Sequence, residues 1–213
     1  QAAGVALVAE DGARAPNRLH ESLTVATVPA FERVDARQML ATVKIIPFAA
    51  PRSVVRQALE LIGERPLVSV AAFTPHRAGL VITRLPQTKP SLIAKSEAAI
   101  RERLEALGST LGDVRVTGHH TGEIGNAVVA LRASGHDPIL VFGASAIVDR
   151  GDVVPQGVVA AGGEVLHLGM PVDPGNLLML ARIGGTPVIG VPSCARSPKV
   201  NGFDWVLART LAG

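Results

Sequence analysis

Apolar positions along the chain follow two rhythms. From about Arg65 onward, short apolar runs alternate with longer stretches in which apolar residues return every three or four positions. That alternation predicts a mainly parallel sheet with crossover helices, an α/β domain. The strand candidates are Leu67–Phe73, Gly79–Thr83, Val114–Thr117, Pro138–Phe142, Val165–Leu168 and Pro187–Val191. The clearest helix follows Lys89-Pro90, where Ser91 is placed to cap free amides. Ile93, Ile100, Leu104 and Leu107 form its stripe, and Gly108 ends it. Further helices are expected at Gly122–Ser134, Asp152–Ala161 and Gly175–Ile183, with a short one near Phe203–Leu211.

The first 64 residues read differently. Gly4–Glu10, Leu23–Val28 and Ala41–Phe48 have the look of short strands. Pro51 opens a helical pattern with Val54, Val55, Ala58, Leu59 and Ile62 on its apolar side. This is expected to be a small N-terminal α+β module, residues 1–64, followed by the α/β domain at 65–213. The boundary is placed at Glu64-Arg65-Pro66 because the proline disfavours continuation of the helix and the sheet pattern begins just after it.

Composition narrows the function classes. With 213 residues, 47% hydrophobic and 18% charged, the chain is long and apolar enough for a sizeable core. The mean hydropathy of +0.33 comes from apolar residues spread over short runs. None of these runs approaches the ~18 residues of a membrane span, so a soluble protein without membrane association is expected. The net charge of +3 and pI near 9.6 suit small anions or nucleotides as ligands. Lys and Arg are scattered rather than clustered, which argues against nucleic acid. The single cysteine, Cys194, excludes an internal disulfide, and no signal-peptide pattern opens the chain, so the expected compartment is the cytoplasm. The opening Gln1 is read as the start of a piece of a longer chain.

In open α/β sheets, ligands sit beyond the carboxyl ends of the strands, so the loops there carry the candidate chemistry. After Pro138–Phe142 comes Gly143-Ala144-Ser145-Ala146, then Asp149 and Asp152 at the entry to a helix. Small residues, a hydroxyl and a helix amino end together suit a phosphate. After Val165–Leu168, Pro174-Gly175-Asn176 are expected to start a helix with free amides facing the ligand. After Pro187–Val191, Ser193, Arg196 and Lys199 bring a hydroxyl and two cations. Each has a plainer alternative: Asp152 as a helix cap, Asp149 as a solvated carboxylate, Ser145 as a partner for local backbone, Gly175-Asn176 as a turn, Arg196 and Lys199 as a solvated pair. The adjacent His119 and His120 are expected to diverge and to ligate no metal.

The pair Gly143-Ala144-Ser145-Ala146 and Asp152-Val153-Val154-Pro155 resembles the Gly-Gly-Thr/Ser-Gly and Asp-Val-x-Pro signature of the molybdopterin-binding family, which includes molybdopterin adenylyltransferases, molybdenum insertases and competence-damage-type proteins. Pro174-Gly175-Asn176 and Gly190-Val191-Pro192 resemble turns of the insertases. Ala41–Phe48, Gly169–Asn176 and Cys194–Lys199 are similar to the amino-terminal part of bacterial molybdenum-cofactor cytidylyltransferase fusions. The resemblance implies a three-layer α/β/α fold whose sheet binds molybdopterin, the molybdenum cofactor, through Gly143, Ser145, Asp149, Asp152, Pro174, Gly175, Asn176, Ser193, Arg196 and Lys199. It also implies a homo-oligomer that presents the pterin to a nucleotidyltransferase domain or a molybdoenzyme. Asp152 is the catalytic candidate if the domain turns over, organising Mg2+ with a nucleotide in adenylyl transfer or molybdate insertion. Ala144 and Ala146 replace the family's glycines, and Glu123 is the only carboxylate near the second acidic position, which favours binding over turnover. The remaining alternative is a ligand-free scaffold for a molybdoenzyme.

Overall fold

The computed structural model describes residues 2–212. It divides the chain into two compact units, the first running to Phe73 and including Ala212, the second spanning Thr74–Leu211.

The first unit contains strands β1 (Gly4–Val8), β2 (Leu23–Thr27), β3 (Arg33–Val34), β4 (Ala41–Ile45) and β5 (Val68–Ala72), with helices α1 (Glu10–Leu19) and α2 (Arg52–Ile62). They form a three-stranded sheet in the order β3-β1-β5 and a two-stranded ribbon, β2-β4, all antiparallel. Two corrections follow. The run Leu67–Phe73, expected to open the parallel sheet, is β5, and it pairs with β1 from Gly4↔Ala72 to Val8↔Val68. Its pairing moves the division from 64/65 to 73/74, because a strand belongs with the partner that satisfies its backbone, wherever the nearest proline falls. Helix α1, absent from the sequence expectation, carries Gly12 and Pro16, both of which disguise a helical pattern. It turns Ala13 and Pro16 inward, and its Asn17 side chain grips Val25 of β2 by accepting from the backbone N–H (2.6 Å) and donating to the carbonyl (2.8 Å).

The second unit is α/β. Its six strands are β6 (Arg77–Arg84), β7 (Thr110–Gly118), β8 (Ile139–Phe142), β9 (Glu164–Leu168), β10 (Met179–Ile183) and β11 (Thr186–Val191), in the order β7-β6-β8-β11-β10-β9. β7, β6, β8 and β11 are parallel, while β10 runs antiparallel to both its neighbours. The helices are α3 (Pro90–Glu105), α4 (Thr121–Ala133), α5 (Val153–Ala160) and α6 (Gly202–Leu211).

Central strands of such a sheet are covered on both sides and read as unbroken apolar runs. All of β8 and the interior of β6 are buried accordingly. Val81, Ile139, Val141 and Val188 pack with Ile124, Val128 and Leu131 of α4 and with Val154 and Val158 of α5. The alternating residues Leu80, Ile82, Leu140, Phe142 and Ile189 point the opposite way and are equally buried. Each such side chain contributes about 1.5–3 kcal/mol of burial.

The expected helix Gly175–Ile183 is a further correction, since Met179–Ile183 is strand β10. Met179, Ala181 and Ile183 are buried while Arg182 is exposed, a period of two. Gly184-Gly185 then closes a two-residue hairpin in the register Ile183↔Thr186, the turn for which paired glycines are suited. Helix α3 is also entered without Ser91, since Lys89 precedes Pro90 at the first turn and no side chain caps it.

Candidate functional site

Strands β6 and β8 are parallel neighbours whose onward connections part. From β6, α3 leads to β7 at one edge of the sheet, and from β8, α5 leads to β9 at the other. A crevice opens at such a switch point, beyond the strand carboxyl ends. Thr83, the last buried residue of β6, and Gly143–Ser145, just after β8, lie on either side of it, and the Ala144 N–H donates to Thr83 Oγ1 at 2.7 Å.

His119 follows β7, where its backbone N–H donates to the Arg84 carbonyl. The ring bridges the crevice, with Nδ1 2.8 Å from Thr83 Oγ1 and Nε2 2.9 Å from Ser145 Oγ. Burial, then the neighbouring His120, lowers the His119 pKa, with Asp152 opposing more weakly, which favours the neutral ring. Each ring nitrogen meets a hydroxyl that can donate or accept. With its hydrogen on Nε2 the ring donates to Ser145 and accepts from Thr83. With the hydrogen on Nδ1 it donates to Thr83, whose oxygen also accepts the Ala144 N–H, and Nε2 accepts from Ser145, a hydroxyl beside a base. Beside Thr83 in the ladder is Thr117, whose Oγ1 is the one buried side-chain polar atom without a partner among the described residues.

Arg196 stands at the same end of the sheet, in the 3-10 turn Ser193–Arg196 that follows β11. Its guanidinium carbon lies 4.2 Å from the centroid of the Phe142 ring, and its Nε donates to Ser96 Oγ of α3 at 2.9 Å. Nothing among the described residues engages its two terminal nitrogens. Burial lowers its pKa, yet guanidinium stays charged, so the structure holds a half-buried cation without a counter-charge. Arg103, by contrast, is committed to Asp204 at 2.8 Å and to the Ser197 carbonyl at 2.7 Å.

The remaining predicted residues take plainer places. Asp152 stands just before α5 without capping it. Its Oδ2 accepts the N–H groups of Asp149 (3.0 Å) and Val148 (2.6 Å), which lower its pKa in that order. Asp149 accepts the Gly151 N–H at 2.6 Å. Both carboxylates thus shape the loop that carries Ser145. Gly143 is buried, and a β-carbon there would meet the Ser145 carbonyl at 2.7 Å. Pro174, Gly175 and Asn176 begin no helix. The Pro174 carbonyl accepts the Gly202 N–H, and the Asn176 carbonyl accepts that of Met170. Gly175 has φ +117, and a β-carbon there would approach the Gly202 nitrogen to 2.5 Å. That turn docks the entry of α6, so its expected free helical amides do not exist. Ser193 and Lys199 are exposed. Glu123 Oε2 accepts the Gly118 N–H at 2.6 Å, tying α4 to the end of β7.

Thr83, Ser96, His119 and Phe142 were missed as site residues. A polar residue closing the apolar run of β6 was the available signal for Thr83. The pairing of His119 with Ser145 depends on strand order, which no local pattern encodes. No protein-family profile matches the chain, and no curated protein matches its sequence.

Proposed function

We propose that the second unit is a molybdopterin-binding domain acting in biosynthesis or maturation of the molybdenum cofactor, and that it binds the pterin phosphate and presents it rather than transforming it. The observation that carries this reading is Arg196, a guanidinium braced on Phe142 and Ser96 with its outer N–H groups unengaged. A half-buried cation of this kind is relieved by an anion, and a planar donor fork suits phosphate. The Ser145 hydroxyl and the orphaned Thr117 Oγ1 add polar groups at the same strand ends, so the residues present fit a ligand that combines a phosphate with a polar heterocycle. Burial on both sides of β6 and β8 supports the three-layer α/β/α arrangement, with α4 and α5 on one face. The Arg103–Asp204 ion pair joins α3 to α6 on the other. Binding is favoured over adenylyl transfer because Asp152 Oδ2 is already engaged by two loop amides.

The test is equilibrium binding of molybdopterin to the purified protein, with AMP and CTP as comparison ligands. Arg196→Gln is expected to weaken pterin binding by ~10–100-fold, the worth of a charge-assisted hydrogen bond, and Ser145→Ala by less. A folded protein that binds no pterin overturns the reading. Preferential binding of AMP or CTP reassigns the crevice to a nucleotide.

A further inference from the structure

Strand β5 is an edge strand, paired with β1 alone. The Leu67 carbonyl accepts from Ala9 and the Phe73 N–H donates to Ala3. By the period of an antiparallel ladder, residues 67, 69, 71 and 73 therefore face β1, while Val68, Val70 and Ala72 point their N–H and C=O groups away from it. None of those six groups has a partner among the described residues. The outer edge of β4 is open in the same way. Leu40 faces β2, its carbonyl accepting the Val28 N–H, so Met39 and Ala41 face outward.

These two open edges line one cleft of about 590 Å³ in the first unit, which Val68, Val70 and Ala72 share with Met39, Leu40 and Ala41, and to which Asp35 and Arg37 add one charge of each sign. Natural edge strands are usually guarded by charge, proline or a bulge. The β5 sequence Val-Ser-Val-Ala-Ala has none of these, and its register with β1 is unbroken. Met39 is 74% exposed at the opposite wall.

We propose that this cleft is a β-augmentation site for an extended segment of a partner polypeptide, about five residues long, uncharged, with β-branched residues alternating with small or polar ones. The segment lies along β5 and takes up the outward amides and carbonyls of Val68, Val70 and Ala72. Main-chain hydrogen bonds supply the attachment, the apolar residues of the lining select the alternate side chains, and the balanced charges of Asp35 and Arg37 favour a segment without net charge. A single strand matches the cleft because both of its walls offer unpaired backbone. The edge of a second folded copy would bring its own Asp35–Ala41 segment against this one.

The experiment adds the capped peptide acetyl-Thr-Val-Thr-Val-Thr-amide to the whole chain and follows amide hydrogen exchange residue by residue. Saturating peptide is expected to slow exchange at Val68, Val70 and Ala72 by at least ~10-fold, as new ladder hydrogen bonds do. The same peptide N-methylated at all five residues, which leaves no residue N–H to donate on either edge, is expected to bind at least ~10-fold more weakly. Val70→Pro removes one outward donor without touching the bonds to β1 and should weaken binding similarly. The N-methylated peptide keeps the test decisive if that variant fails to fold. Absence of protection, or equal binding of both peptides, overturns the proposal. So does protection that rises with protein concentration in the absence of peptide, which makes the occupant a second copy.

Discussion

Strands β8 and β4 are both short and both rich in apolar residues, yet every residue of β8 is buried and none of β4 is. β8 lies between β6 and β11 with helices packed over it. β4 is one strand of a two-stranded ribbon whose cover, α1, packs mainly on the other, β2. The cross-strand pairs show the division: Leu23 and Val25 are buried, whereas their partners Ile45 and Val43 are 42% and 64% exposed. The same kind of sequence is therefore core in one unit and surface in the other. Burial belongs to the position in the sheet, and an apolar strand left at an edge marks a surface still open to a partner.

The comparison is broken most directly at Phe142. Replacing it with alanine should cost about 3–5 kcal/mol in urea unfolding and also remove the platform under Arg196. Thr83→Val comes next at ~1–3 kcal/mol, because it strands the Ala144 N–H and the His119 ring together. It should also loosen ligand binding even at temperatures where the protein remains folded. In the first unit, Asn17→Ala should cost ~1–2 kcal/mol, since one side chain satisfies both backbone groups of Val25. A loss as large as that of Phe142→Ala would show that the two units are more alike than their burial implies.

Acid provides a smaller and more local effect. The pKa of Asp152 is lowered, so the stability it contributes is complete above the ordinary carboxylate range and is lost as pH falls through its depressed value. The lowered pKa of His119 acts in the same sense. Between its folded value and the ordinary ~6.5, the unfolded chain binds the extra proton, so stability rises with pH there. Histidine and amide NMR signals followed on acidification should show His119 protonating below the ordinary range. The Val148 and Asp149 amides should lose protection later, at lower pH. Asp152→Asn should flatten only the second change. Smallest of all, Val43→Ala should change stability by less than about 0.5 kcal/mol, as befits an exposed side chain. A larger loss would mean that β4 is covered in solution.

Much of the second unit was legible locally. Apolar runs marked β6, β7, β8, β9 and β11, and the stripe through Ile100, Leu104 and Leu107 marked α3. Errors arose where a local pattern had two solutions. Met179–Ile183 has enough leucine and methionine around it to pass for a helix, and only the Gly184-Gly185 hairpin separates the alternatives. Val68–Ala72 is as good a strand for one sheet as for another. Of the site, the loop at Gly143–Ser145 and the cation Arg196 could be read in advance, because small residues and charge after a strand are local signals. What Asp152 and Gly175 do there could not, because their partners are backbone groups set by the folded loop.

By itself, the sequence determined the class of the second unit, the strand ends that carry its candidate loops, and the small and basic residues available there. These follow from hydrophobic period and residue chemistry, which act over a few neighbours. Only the tertiary structure decided that β5 joins β1, that β10 runs against its neighbours, and that His119 spans Thr83 and Ser145 while Arg196 rests on Phe142. Those choices depend on which distant segments satisfy one another's backbone and fill one another's volume, and such pairings are settled over the whole chain at once.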